Sequence, residues 1–169
     1  MNTWIRKGMI CKGTISKGNI AAAIACLTLV AASSSQAAAC SNASLKGKYG
    51  QSISGQLLPG PGIVVPQNAV AMTDFDGNGK FTQKDFVVIG GSATTSVFAA
   101  ETGTYKISSD CTGTATINYP DGGWIDLKLV VINQGHEFYT VVSALTMGGG
   151  PVPTNIGSHG VRVRDEDED

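Results

Sequence analysis

From residue 40 onwards, hydrophobic and polar residues alternate along the chain, and Gly, Pro, Asn and Asp interrupt them at short intervals. In the stretch 48–57, Tyr49, Ile53 and Leu57 share one face of an extended chain, while lysine, serine and glutamine occupy the other. A period of two is typical of a β-strand with one buried face, and the apolar spacing of an amphipathic helix is not sustained. The pattern predicts an all-β domain of eight strands, at residues 48–57, 67–75, 80–89, 95–108, 114–119, 124–132, 137–147 and 155–164.

The connections between these strands fall into two alternating groups. Those rich in Gly and Pro are residues 58–66, 90–94, 120–123 and 148–154, and the tight ones are residues 76–79, 109–113 and 133–136. Successive antiparallel strands place their connections at alternate ends of a sheet, so each group belongs to one end. An even number of such strands can close into a barrel without free edges. We therefore expect an eight-stranded antiparallel up-and-down barrel with a Gly/Pro-rich mouth and a tight base, and a β-sandwich is the alternative.

The first 39 residues predict an export signal. Residues 1–19 carry four basic side chains and no acid, residues 20–32 are apolar, and serine, glutamine and alanine follow. This order is typical of a secretory signal peptide, and the apolar run is shorter than the roughly 17 to 25 residues that span a bilayer. Cleavage near Ala39 would leave Cys40 first, as in a lipoprotein, but a polar segment separates the apolar run from Cys40. We favour a cleaved signal and a secreted or periplasmic protein with no membrane span.

Two of the four cysteines lie beyond the predicted cleavage point. Cys40 precedes the first strand, and Cys111 falls in a tight connection, so the strand count places both at the base. Two cysteines in an oxidising compartment usually pair. We therefore predict a disulfide between Cys40 and Cys111.

Charge limits the classes of partner. The chain has 12 Lys+Arg and 13 Asp+Glu, for a net charge of -1. Without a basic surplus a protein has little affinity for a phosphate backbone, so we expect no nucleic-acid partner. The run of acids at residues 165–169 predicts a solvated, disordered tail after a single domain at residues 40–164.

Two features resemble the calycin barrels, the lipocalin-like group. Gly47, Lys48 and Tyr49 resemble the Gly-x-Trp signature at the start of the first strand, with Tyr in place of Trp. Arg162 or Arg164 resembles the arginine that packs over that aromatic residue at the closed end. The chain also resembles a set of uncharacterised secreted bacterial proteins and barrels of the allene-oxide-cyclase-like type, through residues 45–50 (LKGKYG), 76–79 (DGNG), 103–105 (GTY), 110–113 (DCTG) and 160–164 (GVRVR). The resemblance implies a calycin-like barrel and an exported location, and it implies no functional residue.

Residues 74–85 match the spacing of a calcium-binding loop, with oxygen-bearing side chains at Asp74, Asp76 and Asn78. Asp85 replaces the usual bidentate glutamate of such loops. The flanking residues alternate as strands rather than helices, and Asp-Gly and Asn-Gly are favoured in tight hairpin turns. We favour a plain hairpin and no cofactor, with Ca²⁺ at Asp74, Asp76 and Asn78 as the alternative.

The sequence predicts no catalytic residue. His136 and His159 are the two histidines, and neither belongs to a nucleophile motif. Asp121 and Asp126 flank Trp124, which is an arrangement that sugar chemistry can use. We interpret Asp121 instead as a turn former and Asp126 as part of the solvent-facing side of a strand.

The mouth is the predicted ligand site. The apolar residues expected to line or cover it are Leu57, Leu58, Ile63, Val64, Trp124 and Met147. Small-molecule sites form in such openings, so we expect an exported barrel that binds a small, largely apolar molecule. Two alternatives stay open: an isomerase or cyclase that uses cavity shape without a nucleophile, and a non-catalytic extracellular interaction module with a plugged barrel.

Overall fold

A computed structural model describes residues 39–163 of the chain. Its strands are β1 (Lys46–Gly60), β2 (Ile63–Asp76), β3 (Lys80–Ile89), β4 (Ser92–Ala93), β5 (Ala99–Ile107), β6 (Thr112–Asn118), β7 (Trp124–Ile132), β8 (Glu137–Met147), β9 (Gly150–Pro151) and β10 (Thr154–Arg162). Short 3₁₀ turns occupy Asn42–Ser44 and Asn133–Gly135. The predicted signal peptide, Arg164 and the acidic tail lie outside the described residues. In the described range, no helix is long and apolar enough to cross a membrane.

The eight long strands form a closed antiparallel barrel. Their order is β1, β2, β3, β5, β6, β7, β8 and β10, and β10 pairs with β1 to complete the circle. In β10, Ser158 lies opposite Thr140 of β8 on one side and Ile53 of β1 on the other. Closure pairs both edges of every long strand, which removes the exposed edges of an open sheet. The predicted eight-stranded antiparallel barrel is confirmed.

The connections at the mouth contain more strand than predicted, including β4 within residues 90–94 and β9 within residues 148–154. Most of residues 58–66 belongs to strands, because β1 and β2 extend past the barrel as a hairpin with a turn at Pro61 and Gly62. Proline presets the backbone of the first central turn residue, and Gly62 accepts a φ of 72° at the second. Residues 95–98 were predicted as strand, but β5 begins only at Ala99. Just before them, the chain folds back as β4 and pairs with β3.

The base is sealed by the chain that precedes β1. Cys40 and Cys111 form the predicted disulfide, with a Cα–Cα distance of 5.0 Å. The Tyr105 hydroxyl donates a hydrogen bond to the carbonyl of Leu45 at 2.7 Å, and the Cys40 amide donates to the Ser109 carbonyl at 3.2 Å. Leu45 is fully buried. The segment 40–45 therefore closes the barrel floor.

An aromatic cluster packs above this floor. The Tyr49 ring contacts Phe75 and Phe138 edge to face, each at a centroid distance of 5.4 Å. The Tyr49 hydroxyl donates to the Gly135 carbonyl in the connection before β8. Aromatic pairs of this geometry add to the stability from buried area alone. The lower half of the barrel is therefore a packed core.

We expect loss of the disulfide to destabilise the protein without opening the barrel. Cys40 and Cys111 are 71 residues apart in sequence, and closing a loop of that length stabilises the fold by about 4 kcal/mol in the chain-entropy model. Replacing both with alanine should lower the urea midpoint, and far-UV circular dichroism at zero urea should be unchanged. An unchanged midpoint would show that the floor is held by packing and hydrogen bonds alone.

Candidate functional site

Above the aromatic cluster, the barrel interior encloses a cavity of about 310 Å³. All eight long strands contribute side chains to its wall. Small-molecule sites have volumes of about 300 to 1,000 Å³, so the cavity accommodates a small organic molecule. The upper half of the barrel is therefore hollow.

One side of the cavity wall is apolar. It is formed by β6 and β7, whose inward side chains in the cavity are Ala115, Ile117, Ile125, Leu127 and Leu129. The inward positions follow the alternation of each strand, which places hydrophobic residues at every second position. Towards the mouth, Val142, Leu145 and Ile156 continue this apolar surface.

The opposite side carries a polar belt of six hydrogen-bonded side chains from β8, β10, β1, β2, β3 and β5. They are, in order around the barrel, Thr140, Ser158, Gln51, Thr73, Gln83 and Glu101. Thr140 and Ser158 share a hydrogen bond of 2.8 Å, and the Ser158 hydroxyl donates to Gln51 Oε1 at 3.2 Å. Gln51 Nε2 donates to the Thr73 hydroxyl.

The belt ends on a carboxyl group. The Thr73 hydroxyl donates to Gln83 Oε1 at 2.8 Å, and Gln83 Nε2 donates to Glu101 Oε2 at 3.2 Å. From Ser158 onwards each group donates towards Glu101, so the chain of dipoles is oriented towards that carboxyl group. Hydrogen bonds in such a chain strengthen one another, which fixes the position of Glu101.

Asp85 lies near Glu101 in the same wall, and both are strongly buried, with 5% and 6% of their surface exposed. Burial, together with the nearby Asp85 charge, raises the pKa of Glu101 to about 8. Burial also raises the pKa of Asp85, and the Gln83 amide offsets part of that increase. Lysine, arginine and histidine are absent from the described residues that line the cavity. The site therefore carries acidic groups without a compensating cation.

Tyr119 and Asp121 extend the acidic side towards the mouth. Burial and the negative charges of Glu101 and Asp85 raise the pKa of Tyr119, which keeps its hydroxyl protonated. Asp121 Oδ1 accepts a hydrogen bond from the Gly123 amide at 3.0 Å, as a turn-forming aspartate does. Asp126 lies outside the cavity lining and accepts a hydrogen bond from the Thr116 hydroxyl at 2.6 Å.

The residues predicted to bind ligand are spread over the mouth region. Of the six, only Met147 lines the cavity. Leu57 is buried in a small cluster with Leu145 and Ile156 at the upper end of the barrel. Ile63 and Val64 are exposed on the β1–β2 hairpin, while Leu58 and Trp124 are half-buried away from the cavity lining. A ligand contact at these positions stays a prediction.

The predicted calcium ligands lie on the outer surface at the base. Asp76 Oδ1 accepts hydrogen bonds from the amides of Asn78 at 2.7 Å and Lys80 at 2.9 Å, which lowers the pKa of Asp76. The carboxylate thus serves the hairpin turn. Asp74 is exposed on the outward face of β2. Within residues 39–163, no group of three or more His, Cys, Asp or Glu side chains is arranged to hold a metal ion.

His159 contacts Glu137 on the outer surface, with 2.9 Å between Nε2 and Oε2. Hydrogen bonds from His159 and Asn133 lower the pKa of Glu137. The Tyr139 ring stacks on His159 at a centroid distance of 4.4 Å. This cluster lies on the opposite side of the sheet from the cavity. His136, in the connection before β8, is exposed.

The predicted aromatic–arginine pair is close in space at the base. Tyr49 and Arg162 are directly opposite in the β1–β10 ladder. The Arg162 guanidinium lies over Gly47, 3.4 Å from the position a Cβ would take there. Burial raises the pKa of Tyr49, and the Arg162 charge offsets part of the increase. Packing of Arg162 over the Tyr49 ring, as in calycin barrels, stays a prediction. Arg164 lies outside the described residues.

No protein-family model matches this chain, and no curated protein matches it. Among solved structures, it is similar to the S-type phycobiliprotein lyase CPES from Guillardia theta, with a TM-score of 0.47 and 8% sequence identity. The similarity covers 74% of this chain and 92% of the lyase chain.

The sequence reasoning missed the polar belt and the buried carboxyl pair. In the sequence, Asp85 fits a calcium-binding loop, and Glu101 belongs to no motif. A signal was present, since Glu101 occupies the inward phase of β5 with Gly103 and Tyr105. A charged residue at an inward position of an alternating strand is rare without a partner, and it therefore indicates a site.

We expect the stability of the protein to fall as the pH rises from about 5 to 8. The pKa of Glu101 is about 8 in the fold, against an ordinary value of 4.5, so the folded state binds more protons than the unfolded state in this window. Glu101 alone contributes a slope of up to about 1.4 kcal/mol per pH unit. Burial raises the pKa of Asp85 as well, so its effect on stability has the same sign.

Urea denaturation of the wild type and Glu101→Gln at several pH values measures this slope. The variant should show a flatter dependence, whereas Asp74→Asn on the outer surface should retain the wild-type slope. Equal slopes for the wild type and Glu101→Gln would contradict the assignment.

Proposed function

We propose that this protein binds a small, largely apolar molecule inside its barrel. The observation that carries the proposal is the cavity of about 310 Å³, which has an apolar wall on β6 and β7 and a polar belt opposite. Binding sites for small molecules combine a mostly apolar lining with a few placed polar groups. The belt supplies such groups, and its hydrogen bonds hold them in position before a ligand arrives.

The two ends of the barrel support a single route of access. The base is covered by the segment 40–45, the disulfide and the aromatic cluster. At the other end, Thr94, Thr95, Gly123 and Met147 line the cavity where the mouth connections meet. A ligand would therefore enter at the mouth, and the connections there would decide its size.

The hollow interior favours ligand binding over the alternative of a plugged interaction module.

An exported location is part of the proposal. The Cys40–Cys111 disulfide is compatible with an oxidising compartment such as the periplasm or the exterior. The signal peptide proposed at residues 1–39 would deliver the protein there. Protein recovered from cells that make it should begin at or near Cys40 by intact-mass measurement.

A second candidate function is acid catalysis in the same cavity. A carboxyl group with a pKa of about 8 holds a proton at neutral pH, so Glu101 could donate it to a bound substrate. An isomerase or cyclase of this kind needs no nucleophile. Product in excess of the protein would favour it, and stoichiometric release of an unchanged ligand would favour binding alone.

Filling the cavity should weaken binding strongly, whereas the same change on the outside should not. Val142 lines the cavity, and its neighbour Val141 is 56% exposed on the outer face of β8. We expect Val142→Phe to weaken binding of the neutral fluorescent probe N-phenyl-1-naphthylamine at least tenfold. Val141→Phe should bind the probe as the wild type does.

Probe fluorescence titrations measure both affinities, and near-UV circular dichroism verifies that each variant is folded. Equal probe affinity in a folded Val142→Phe variant and the wild type would place the probe outside the barrel and contradict the proposal.

A further inference from the structure

The geometry points to an apolar amine as the ligand class, with its protonated nitrogen bound between Asp85 and Glu101 and its hydrocarbon part against β6 and β7. This inference rests on the proposed function, because it assigns a ligand class to the same cavity. It adds a specific requirement, which is that the ligand carries a positive charge.

The charge of the cavity lining favours a cation. The described lining of the cavity includes three carboxyl groups, Asp85, Glu101 and Asp121, and no basic side chain. A buried carboxyl group is costly to ionise without a partner, and a cation beside it removes that cost. A negatively charged ligand would add repulsion to desolvation. Among charged ligands, the electrostatics therefore favour a cation over an anion.

A free hydrogen-bond acceptor lies inside the cavity. Glu101 Oε2 accepts the hydrogen bond from Gln83, while Glu101 Oε1 forms no hydrogen bond within residues 39–163. In that range, every side-chain nitrogen or oxygen that is sealed from solvent has a partner, so Oε1 is reached from the cavity. Asp85 likewise forms no hydrogen bond shorter than 3.5 Å there, although the Gln83 amide lies close enough to lower its pKa. An ammonium group supplies the missing donors.

The cavity fits an organic amine better than a metal ion. Calcium takes six to eight oxygen ligands. Here Gln83 Oε1 already accepts the hydrogen bond from Thr73, and the facing wall is hydrocarbon. That wall matches the apolar part of an organic amine.

Binding of an amine releases a proton. At neutral pH, Glu101 is largely protonated and the amine in solution is an ammonium ion. When the ammonium ion binds, the Glu101 proton passes to solvent and a carboxylate–ammonium pair forms. The other titratable groups that line the cavity are Asp85 on β3 and Tyr119 and Asp121 at the β6 end, and Tyr119 stays protonated throughout.

A matched pair of compounds tests the inference. 1-Adamantanamine and 1-adamantanol have the same cage, and only the amine is charged at pH 7. We expect the amine to bind the wild type at least tenfold more tightly than the alcohol by isothermal titration calorimetry. Measured in two buffers of different ionisation enthalpy, amine binding should release a fraction of a proton approaching one, and alcohol binding should release none.

Variants locate the effect. Glu101→Gln and Asp85→Asn should each reduce the preference for the amine at least fivefold, and Glu101→Gln should abolish proton release. Asp74→Asn removes the same charge from the outer surface and should change neither quantity. Because the proton count needs only the wild type, the test does not depend on the variants folding.

The outcomes distinguish this inference from the proposed function. If the alcohol and N-phenyl-1-naphthylamine bind in the cavity and the amine binds no better than the alcohol, the ligand class is wrong and the binding function stands. If neither adamantyl compound binds and Val142→Phe leaves probe binding unchanged, both are overturned. An amine preference that survives in Glu101→Gln and Asp85→Asn would also overturn the assignment.

Discussion

Burial of a carboxyl group halfway along a closed barrel is the constraint on which the rest of the interior depends. Glu101 is 6% exposed, and the only hydrogen bond it accepts from the described residues comes from Gln83. An ionised group in such a place must be neutralised, paired or solvated. The structure meets part of this demand with a belt of donors that runs through six strands. The remainder is left to a proton or to a ligand.

The barrel divides the tasks of stability and function along its axis. The disulfide, the buried Leu45 and the Tyr49 aromatic cluster hold the base, and none of the three needs the cavity. The cavity and its acidic side lie above them. A hollow upper half forgoes dispersion contacts that a filled core would have. The packed base and the closed hydrogen bonding of the sheet compensate for that loss, so the site can stay open without unfolding the barrel.

The sequence was sufficient for the strands and their closure but not for the site. Alternation with a period of two located the eight long strands, and the alternation of connection types placed Cys40 and Cys111 at one end. It also indicated which face of each strand is inward. It could not indicate cross-strand partners, because those depend on register. Gln83 and Glu101 are 18 residues apart and meet only because β3 and β5 pair in the observed register.

The loop predicted at residues 58–66 was wrong for a physical reason. The residues 58–66 were expected to form a loop because proline and glycine usually end strands, yet Pro61 and Gly62 fit the two central positions of one tight turn between extended strands. Ligand contacts at the apolar residues of the mouth stay a prediction, and the cavity itself draws on inward positions of every long strand. Hydrophobicity alone does not distinguish a residue that lines a cavity from one that packs beside it.

The location of a bound molecule is the central claim, and methyl NMR tests it most directly. Protein with labelled Ile, Leu and Val methyl groups would be titrated with N-phenyl-1-naphthylamine. The account predicts that the cavity methyl groups of Ile117, Leu127 and Val142 shift on binding. Those of Val130, Val141 and Val161, which are exposed on the outer surface, should stay in place. Shifts confined to the outer set, or the absence of any shift at a saturating probe concentration, would contradict the account.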